Sequence, residues 1–195
     1  MTRTIRILFL LTALFLLAGC GSKAPYTIVD DFSKRGTRLI AVVPPIQASK
    51  EVDPAGGKIL RDRAVEELYF KGYPKLPFAG IDERLAAAGI EIRDGEASAR
   101  SLGGALGVDA ILFITVETCG SSFFLNTAKT TAAVQFTLRS ARSGEILWQM
   151  RAVRSTRTFH VTRKWLQQDV IGIYEPLLRE LVSKALATLP DGPDA

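Results

Sequence analysis

The sequence predicts a single α/β domain built on a mixed β-sheet. Short apolar runs alternate with segments of helical period in the N-terminal half of the chain. Three consecutive segments with strand character follow between Ala110 and Arg154. A long amphipathic segment closes the chain, and we expect it to pack on the sheet as a helix. The expected order is therefore N-terminal β-α-β-α-α units, an antiparallel three-strand meander and a C-terminal helix.

The first strand is predicted at Leu39 to Val43, an apolar run that Pro44 and Pro45 end. Five apolar residues in a row suit a strand that is buried on both faces. The pair Asp53-Pro54 then supplies an N-cap and a proline for the first helical turn, and Gly72 is placed to end that helix. The prolines between Tyr73 and Phe78 hold the next segment extended, so it is at most an edge strand.

Two short helices are expected next. Ile81, Leu85 and Ala88 give a helical spacing that Gly89 closes, and a second helix spans Glu96 to Leu106. Gly103 and Gly104 inside the second helix each cost about 1 kcal/mol relative to alanine. We therefore expect this helix to pack closely on the sheet.

The meander begins with Ala110 to Thr118, which is apolar on both faces and is expected at the centre of the sheet. A clear two-residue alternation follows from Thr131 to Arg139. Ser143-Gly144 marks a turn, and Glu145 to Arg154 returns as the third strand.

A final helix is predicted from about Lys164 to Leu189, with Pro176 expected to kink or split it. The domain should therefore cover residues 37–189, with residues 190–195 as a disordered tail. Apolar residues at helical spacing mark the buried stripe: Leu166, Val170, Ile173, Leu177, Leu181 and Ala185.

The N-terminus carries the features of a secretory signal in residues 1–19. Arg3 and Arg6 precede an apolar run from Ile7 to Leu17 that is too short to span a bilayer. The run ends in Leu-Ala-Gly-Cys, which resembles a bacterial lipoprotein lipobox. That resemblance implies cleavage between Gly19 and Cys20 and a covalent lipid on Cys20, and two or three acyl chains give lasting membrane anchorage.

The residues after the lipobox suggest where the domain is held. Gly21 stands where lipoproteins retained in the inner membrane of many Gram-negative bacteria carry Asp, so the resemblance favours the outer membrane with the domain facing the periplasm. Residues 20–36 are expected to form the lipidated N-terminus and a polar tether. The apolar residues of this segment leave open the alternative that part of it docks on the domain: Tyr26, Ile28, Val29 and Phe32.

Composition excludes some classes of function. The whole chain has 25 basic and 20 acidic residues, and removal of Arg3 and Arg6 with the signal leaves a net charge of +3. This mild excess does not favour a nucleic-acid partner. With Cys20 taken by lipid, Cys119 is the remaining thiol, expected as a small buried residue at a strand end, with intermolecular pairing as the alternative.

We find no pattern that predicts catalysis or a cofactor other than the lipid. The single histidine, His160, has no neighbours at metal-ligand spacing, and no serine lies in a G-x-S-x-G elbow. Residues 55–58 lack the spacing of a phosphate-binding loop. A Cys119–His160 pair is the one nucleophile and base that the fold could bring together, and we expect a non-enzymatic protein.

Two stretches are candidate interaction surfaces. Phe123 and Phe124 could form the apolar tip of a hairpin, although the sequence favours their entry into the core as the start of the next strand. Arg151, Arg154 and Arg157 lie three apart, so a bulge or strand end near Ser155 is needed to gather them. If gathered, they would suit acidic headgroups or an acidic partner; a solvated basic rim is the alternative.

Three segments resemble a family of bacterial lipoproteins of unknown function: residues 71–77, residues 106–112 and residues 143–148. The family is similar in fold to the N-terminal domain of TolB and to CsgG-type lipoproteins. The resemblance implies an accessory role in export, transport or envelope assembly, with an envelope protein as partner and a homo-oligomer by analogy. We retain two alternatives, a carrier of a lipid or small ligand auxiliary to a transporter and, less favoured, an envelope hydrolase.

Overall fold

The structure is a computed structural model that describes residues 26–48 and 54–193. The predicted signal sequence, Cys20 and the expected cap Asp53 lie outside the described residues. Within them, the predicted fold class is confirmed: one mixed sheet of six strands, four α-helices, and the last helix packed on the sheet. None of the helices in this described part is both long enough and apolar enough to cross a bilayer.

The sheet has the order β1-β6-β5-β4-β2, and β3 also pairs with β4. Strands β2 and β3 run parallel to β4, whereas all other pairs are antiparallel. The strands are β1 Tyr26–Ile28, β2 Ile40–Val42, β3 Ile46–Gln47, β4 Ala110–Phe124, β5 Thr127–Ser140 and β6 Ile146–Phe159. The helices are α1 Pro54–Phe70, α2 Phe78–Ala88, α3 Glu96–Leu106 and α4 Arg163–Leu186.

Helices cover both faces of the sheet at the end where β4 begins. On one face, α1 and α4 bury the alternate residues of the meander, with Phe136 and Trp148 fully enclosed. On the other face, α2 and α3 cover a smaller core around Ile111 and Phe113. The alternation of side chains along each strand explains this division, because neighbouring residues of β4 point to opposite faces.

The glycine pair in α3 confirms the expected close packing at one of its two positions. A Cβ on Gly103 would lie 2.4 Å from the Cβ of Ala141, in the turn that follows β5, whereas a Cβ on Gly104 would meet nothing within 4 Å. The α3 backbone therefore approaches the sheet as closely as a glycine allows. Gly107 ends the helix in the left-handed conformation, at φ 70°.

The N-terminal boundary of the domain lies earlier than predicted. Tyr26–Ile28 pairs with β6 as strand β1, and Phe32, the first residue of a short 3₁₀ turn, is buried in the main core. Residues 26–36 are therefore part of the domain and not a tether, which is the docking alternative left open by their apolar residues. Three residues are too few to show an alternation, so the strand depends on its distant partner Trp148–Met150.

The C-terminal segment also docks on the domain, where a disordered tail was predicted. The hydroxyl of Tyr73 donates a hydrogen bond to the carbonyl of Pro190 over 3.1 Å, and Lys71 pairs with Asp191 at 2.7 Å. Tyr73 itself is buried and lies in an extended segment that is not a strand, because its prolines remove the donors of a ladder. Of the two effects expected of Pro176, a kink or a split, the split does not occur, because α4 is one continuous helix from Arg163 to Leu186.

Candidate functional site

The three meander strands extend far beyond the short strands beside them. β4, β5 and β6 have 14 or 15 residues each, while β1, β2 and β3 have two or three. Pairing by β3 reaches Val116, and pairing by β1 reaches Met150. We call the strand segments beyond these levels the distal half: residues 117–124, 127–134 and 151–159. Among the described residues, no strand pairs with its two outer edges, on β4 and on β6.

The distal half is covered by helix on one face only. There, Leu166 and Val170 of α4 pack on Ala128 of β5, and Cys119 and Arg154 also face α4. The opposite face, which we call the open face, carries mainly small polar and basic side chains. Its exposed or half-buried residues are Thr118, Gly120, Ser122, Lys129, Thr131, Arg151, Val153, Ser155 and Arg157.

The three candidate arginines of β6 do not gather on one face. β6 pairs with β5 in regular register from Arg151 to Phe159, so no bulge occurs near Ser155. Arg151 and Arg157 lie on the open face, six residues apart, whereas Arg154 faces α4 at 3.8 Å from Glu180. A β-bulge does occur on β4, between Val116 and Thr118.

The bulge residue Glu117 holds one of these arginines. Its carboxylate accepts hydrogen bonds from Arg151 Nε and Nη2 at 2.9 and 2.7 Å. These hydrogen bonds, and secondarily the negative charge of Glu117, raise the pKa of the Arg151 guanidinium. The charge of Arg151 is therefore compensated by Glu117 within the domain. Of the three candidate arginines, Arg157 remains on the open face for contact with an acidic partner.

An exposed apolar cluster closes the distal half, and we call it the apolar end. In the ladder, Phe124 lies opposite Thr127 and Thr127 opposite Phe159, while Asn126 accepts a hydrogen bond from the backbone of His160. The first turn of α4 is held beside the hairpin because Leu166 packs on Ala128. Six large apolar residues with 41% to 80% exposure form this end: Phe123, Phe124, Leu125, Phe159, Val161 and Trp165.

The hairpin tip is built at a cost in backbone energy. Leu125 has φ 50°, a left-handed conformation that glycine and asparagine adopt readily and that a bulky residue rarely takes. Its side chain is 80% exposed, so no packing in the domain offsets the strain. The sequence favoured entry of Phe123 and Phe124 into the core as the start of the next strand, but they complete β4 and are exposed at the hairpin.

The charge around the apolar end is positive. Lys129 and Arg157 face each other across β5 and β6, and Arg163 and Lys164 occupy the first turn of α4. Within residues 26–48 and 54–193, no carboxylate forms an ion pair with any of these four side chains. Two cations at a helix N-terminus are also opposed by the helix dipole, so the domain alone does not favour this arrangement.

Cys119 and His160 do not form a nucleophile–base pair. Cys119 is buried, as predicted, but it lies within β4 and not at a strand end. It pairs with Ala132, and its Sγ lies 2.8 Å from the hydroxyl of Tyr174. His160 contacts Asp169 instead. Cys119 is level with Arg154, six residues before His160, so the strand registers place the two backbones about 20 Å apart along the sheet at about 3.4 Å per residue.

Two grooves in the described part of the domain open to the surface, and neither is the enclosed apolar pocket that a lipid carrier requires. An apolar groove beside α2 and α3, lined by Leu76, Ile81 and Leu106, has a volume of about 180 Å³. Sites for drug-sized ligands usually have 300–1,000 Å³. A larger groove of about 500 Å³ between β6 and α4 is open and lined by charged residues that include Arg154, Glu180 and Lys184.

The sequence did not predict that several residues would belong to the apolar end. Phe159, Val161 and Trp165 are apolar but lie outside the predicted strand and the buried stripe of the last helix. A signal was present, because Trp165 directly precedes Leu166 in that stripe and so points away from the sheet. Recognising Phe159 required knowing that β6 continues to Phe159 and ends beside the hairpin tip.

The fold defines a class of proteins, single α/β domains with a mixed six-stranded sheet and a C-terminal helix packed on it. The family model described as "Putative lipoprotein GNA1162-like" matches residues 29–192, and the chain belongs to this family. The relative "Putative lipoprotein NMB1124/NMB1162" of Neisseria meningitidis serogroup B is 30% identical over 141 residues. That match covers 71% of this chain and 65% of the relative, so the chain spans slightly less than two thirds of the relative's length.

Solved structures agree on the fold. The crystal structure of lipoprotein GNA1162 from Neisseria meningitidis is 26% identical, with a TM-score of 0.52, and the match covers 70% of this chain and 94% of that one. A dodecamer of PelC from Paraburkholderia phytofirmans is 14% identical, with a TM-score of 0.51 and coverage of 78% and 88%. The second likeness shows a shared fold alone.

Proposed function

We propose that this protein is a lipid-anchored accessory component of an envelope export, transport or assembly system, and that it acts by binding a protein partner without catalysing a reaction. In this proposal the chain is cut between Gly19 and Cys20, Cys20 carries the lipid, and the outer membrane holds the domain on its periplasmic side. Membership of the GNA1162-like family supports the lipoprotein assignment. The apolar run, the two arginines and the lipobox-like end of residues 1–20 support the anchor.

The observation that carries the partner-binding role is the distal half of the meander. One sheet face is open there, and among the described residues no strand pairs with its two outer edges, on residues 117–124 and 151–159. Unpaired edges offer a row of backbone donors and acceptors to another chain, and a partner gains affinity by adding a strand. A domain with no further role would be expected to cover or shorten such edges.

A second copy of the chain is one candidate partner. The two edges lie on opposite sides of the same meander, so β4 of one copy could pair with β6 of the next in a head-to-tail contact. Contacts of this type close into rings when the rotation per subunit permits it. PelC, which shares the fold, is found as a dodecamer. We therefore include a homo-oligomer in the proposal.

Site-specific photocrosslinking in cells tests the role. A crosslinking residue at Val153 or Ser122, on the open face, should capture the same envelope protein or a second copy of the chain. The matched control is Ala87, which is also exposed but lies on α2, the helix that covers the core around Ile111 and Phe113, away from the distal half. Capture from Ala87 as well, or from none of the three positions, would contradict a partner site on the open face.

The anchor is tested separately. Cys20→Ala should release the protein from the membrane fraction, and Gly21→Asp should move it from outer-membrane to inner-membrane fractions on a density gradient. The mass of the mature N-terminal peptide should include acyl chains on Cys20. A membrane-bound Cys20→Ala variant with its signal removed would show that another element anchors the chain.

A further inference from the structure

We infer that the apolar end is a membrane-docking surface, which inserts its exposed side chains among the lipids of the bilayer that holds the anchor. The occupant is a phospholipid surface with anionic headgroups. The inference rests on the lipid anchor at Cys20 that we propose above, and it adds an orientation for the domain. It leaves the open face and the strand edges exposed beside the membrane for a protein partner.

The first argument is the composition of the apolar end. Two phenylalanines, a leucine and a tryptophan are more than half exposed there: Phe124, Phe159, Leu125 and Trp165. Aromatic residues with a leucine at one tip are typical of surfaces that lie in the interfacial region of a bilayer. The strained backbone of Leu125 places an apolar side chain at the outermost point of the hairpin, which burial in lipid would offset.

The second argument is the length and direction of the chain before β1. Five residues lie between Cys20 and Tyr26, and the six steps from one Cα to the next span at most about 20 Å on any path. The acylated membrane surface therefore lies within about 20 Å of Tyr26. In the antiparallel β1–β6 ladder Tyr26 lies opposite Met150, so the chain enters β1 from the side of Arg151, toward the distal half.

The apolar end lies farther from Tyr26 than the anchor can reach. Phe159 lies nine steps along β6 from Met150, which is about 30 Å at the usual strand rise. The anchor holds the membrane surface within about 20 Å of Tyr26, whereas the apolar end lies about 30 Å from it. If the meander points toward the membrane, the apolar end must therefore enter the bilayer interface. A short anchor also raises the local concentration of the apolar end at the lipid, which favours docking.

The third argument is charge. The four cations around the apolar end have no acidic partner among the described residues, and Asp169, the nearby carboxylate, contacts His160. A bilayer with anionic lipids attracts each basic residue near its surface by about 1 kcal/mol, or about fivefold in binding. By contrast, Arg35, Arg61 and Arg139, away from the distal half, pair with acidic residues.

The experiment uses the lipidated protein, purified from membranes and reconstituted into vesicles of phosphatidylethanolamine and phosphatidylglycerol. Lipids brominated on the acyl chain quench tryptophan that enters the bilayer. Trp165 should be quenched, whereas Trp148, which is fully buried in the domain, should not. The variant Trp165→Phe therefore gives the baseline, and an unchanged Trp148 emission shows that each variant is folded.

Two sets of variants separate docking from anchorage. The double change Phe124→Ser and Leu125→Ser should abolish the quenching of Trp165 while the protein stays bound to the vesicles through its lipid. Arg163→Gln and Lys164→Gln should each lower the ratio of docked to undocked protein about fivefold, and high salt should do the same. The control Phe70→Ser removes an equally exposed phenylalanine at the end of α1 and should change nothing.

The possible results test the docking of the apolar end separately from the proposed lipid anchor. Quenching that the hairpin variants remove supports docking. An acylated, vesicle-bound protein whose Trp165 is not quenched overturns docking and leaves the anchor intact. Capture of a protein by a crosslinker at position 165, without quenching, would assign the apolar end to a protein partner and also overturn docking. A Cys20 without acyl chains would overturn both proposals.

Discussion

The two glycines of α3 allow a test of the fold in which neighbouring substitutions have opposite effects. Gly103→Ala and Gly104→Ala make the same chemical change at adjacent positions of one helix. In a helix interior, alanine is favoured over glycine by about 1 kcal/mol. The two positions differ in their surroundings, because Gly103 faces the turn after β5 and Gly104 faces open space.

The magnitude follows from the distances. A Cβ on Gly103 would lie 2.4 Å from the Cβ of Ala141 and 2.9 Å from its Cα and carbonyl oxygen. Two of these atoms belong to the backbone, so relief requires that α3 move away from the sheet. Overpacking of this kind costs typically 1–3 kcal/mol, and backbone contacts fall toward the upper part of that range. We expect Gly103→Ala to lower the free energy of unfolding by about 1–2 kcal/mol after the helix gain.

Gly104→Ala should instead raise the free energy of unfolding by about 0.5–1 kcal/mol, since only the helix preference acts. Urea denaturation followed by far-UV circular dichroism measures both variants. With a slope of about 2 kcal/mol/M, the two midpoints should differ by about 1 M, on opposite sides of the unsubstituted protein. Stabilisation by both substitutions would refute the close approach of α3 to Ala141.

Two further predictions concern buried polar groups. Burial, and secondarily the charge of Asp191, raises the pKa of Tyr73 to about 12, so the fold favours the neutral phenol. The contribution of this phenol to the free energy of unfolding should be complete below pH 10, and the free energy should fall by about 2–3 kcal/mol as the pH rises from 10 to 12. Urea titrations at these pH values should show the loss, and Tyr73→Phe should remove it. The buried Arg61 contacts Val42, Asp82 and the Phe78 ring, so Arg61→Ala should lower the free energy of unfolding by about 2–3 kcal/mol in the same assay. Asp82 is more exposed, so Asp82→Ala should lower it by about 1 kcal/mol or less. Equal effects of Arg61→Ala and Asp82→Ala would indicate that the ion pair, and not the buried contacts of the arginine, provides the stabilisation.

Local sequence patterns predicted the helices well, because the residues that begin and end a helix lie within one turn of its ends. The bounds of α3 agree with the prediction at both ends, and α1 begins at Pro54 as expected from a proline in the first turn. The glycines that end helices are also local signals: Gly72, Gly89 and Gly107 all have positive φ. These features need no knowledge of distant partners.

The sheet was predicted less completely because its limits depend on pairing. The segment from Cys119 to Ser122 has the composition of a loop, yet it is strand in the structure because β5 lies beside it in register. A hydrogen bond of 2.8 Å between the hydroxyls of Ser121 and Thr130 joins the two strands there. Pairing therefore overrides a weak local preference, and it carries the hairpin to Phe124, where the phenylalanines become exposed.

The two halves of the sheet have different roles: one stabilises the fold, and the distal half is the proposed interaction surface. Helices cover both faces near Ala110, and the large buried residues lie there, so this half supplies most of the apolar burial that stabilises the fold. The distal half is covered on one face, and its apolar end is exposed to solvent. Substitutions such as Phe124→Ser remove little buried area and should change the free energy of unfolding by less than about 0.5 kcal/mol. A loss of membrane docking or partner binding in such variants then reports on the surface itself, because the fold that presents it is maintained by residues far from it.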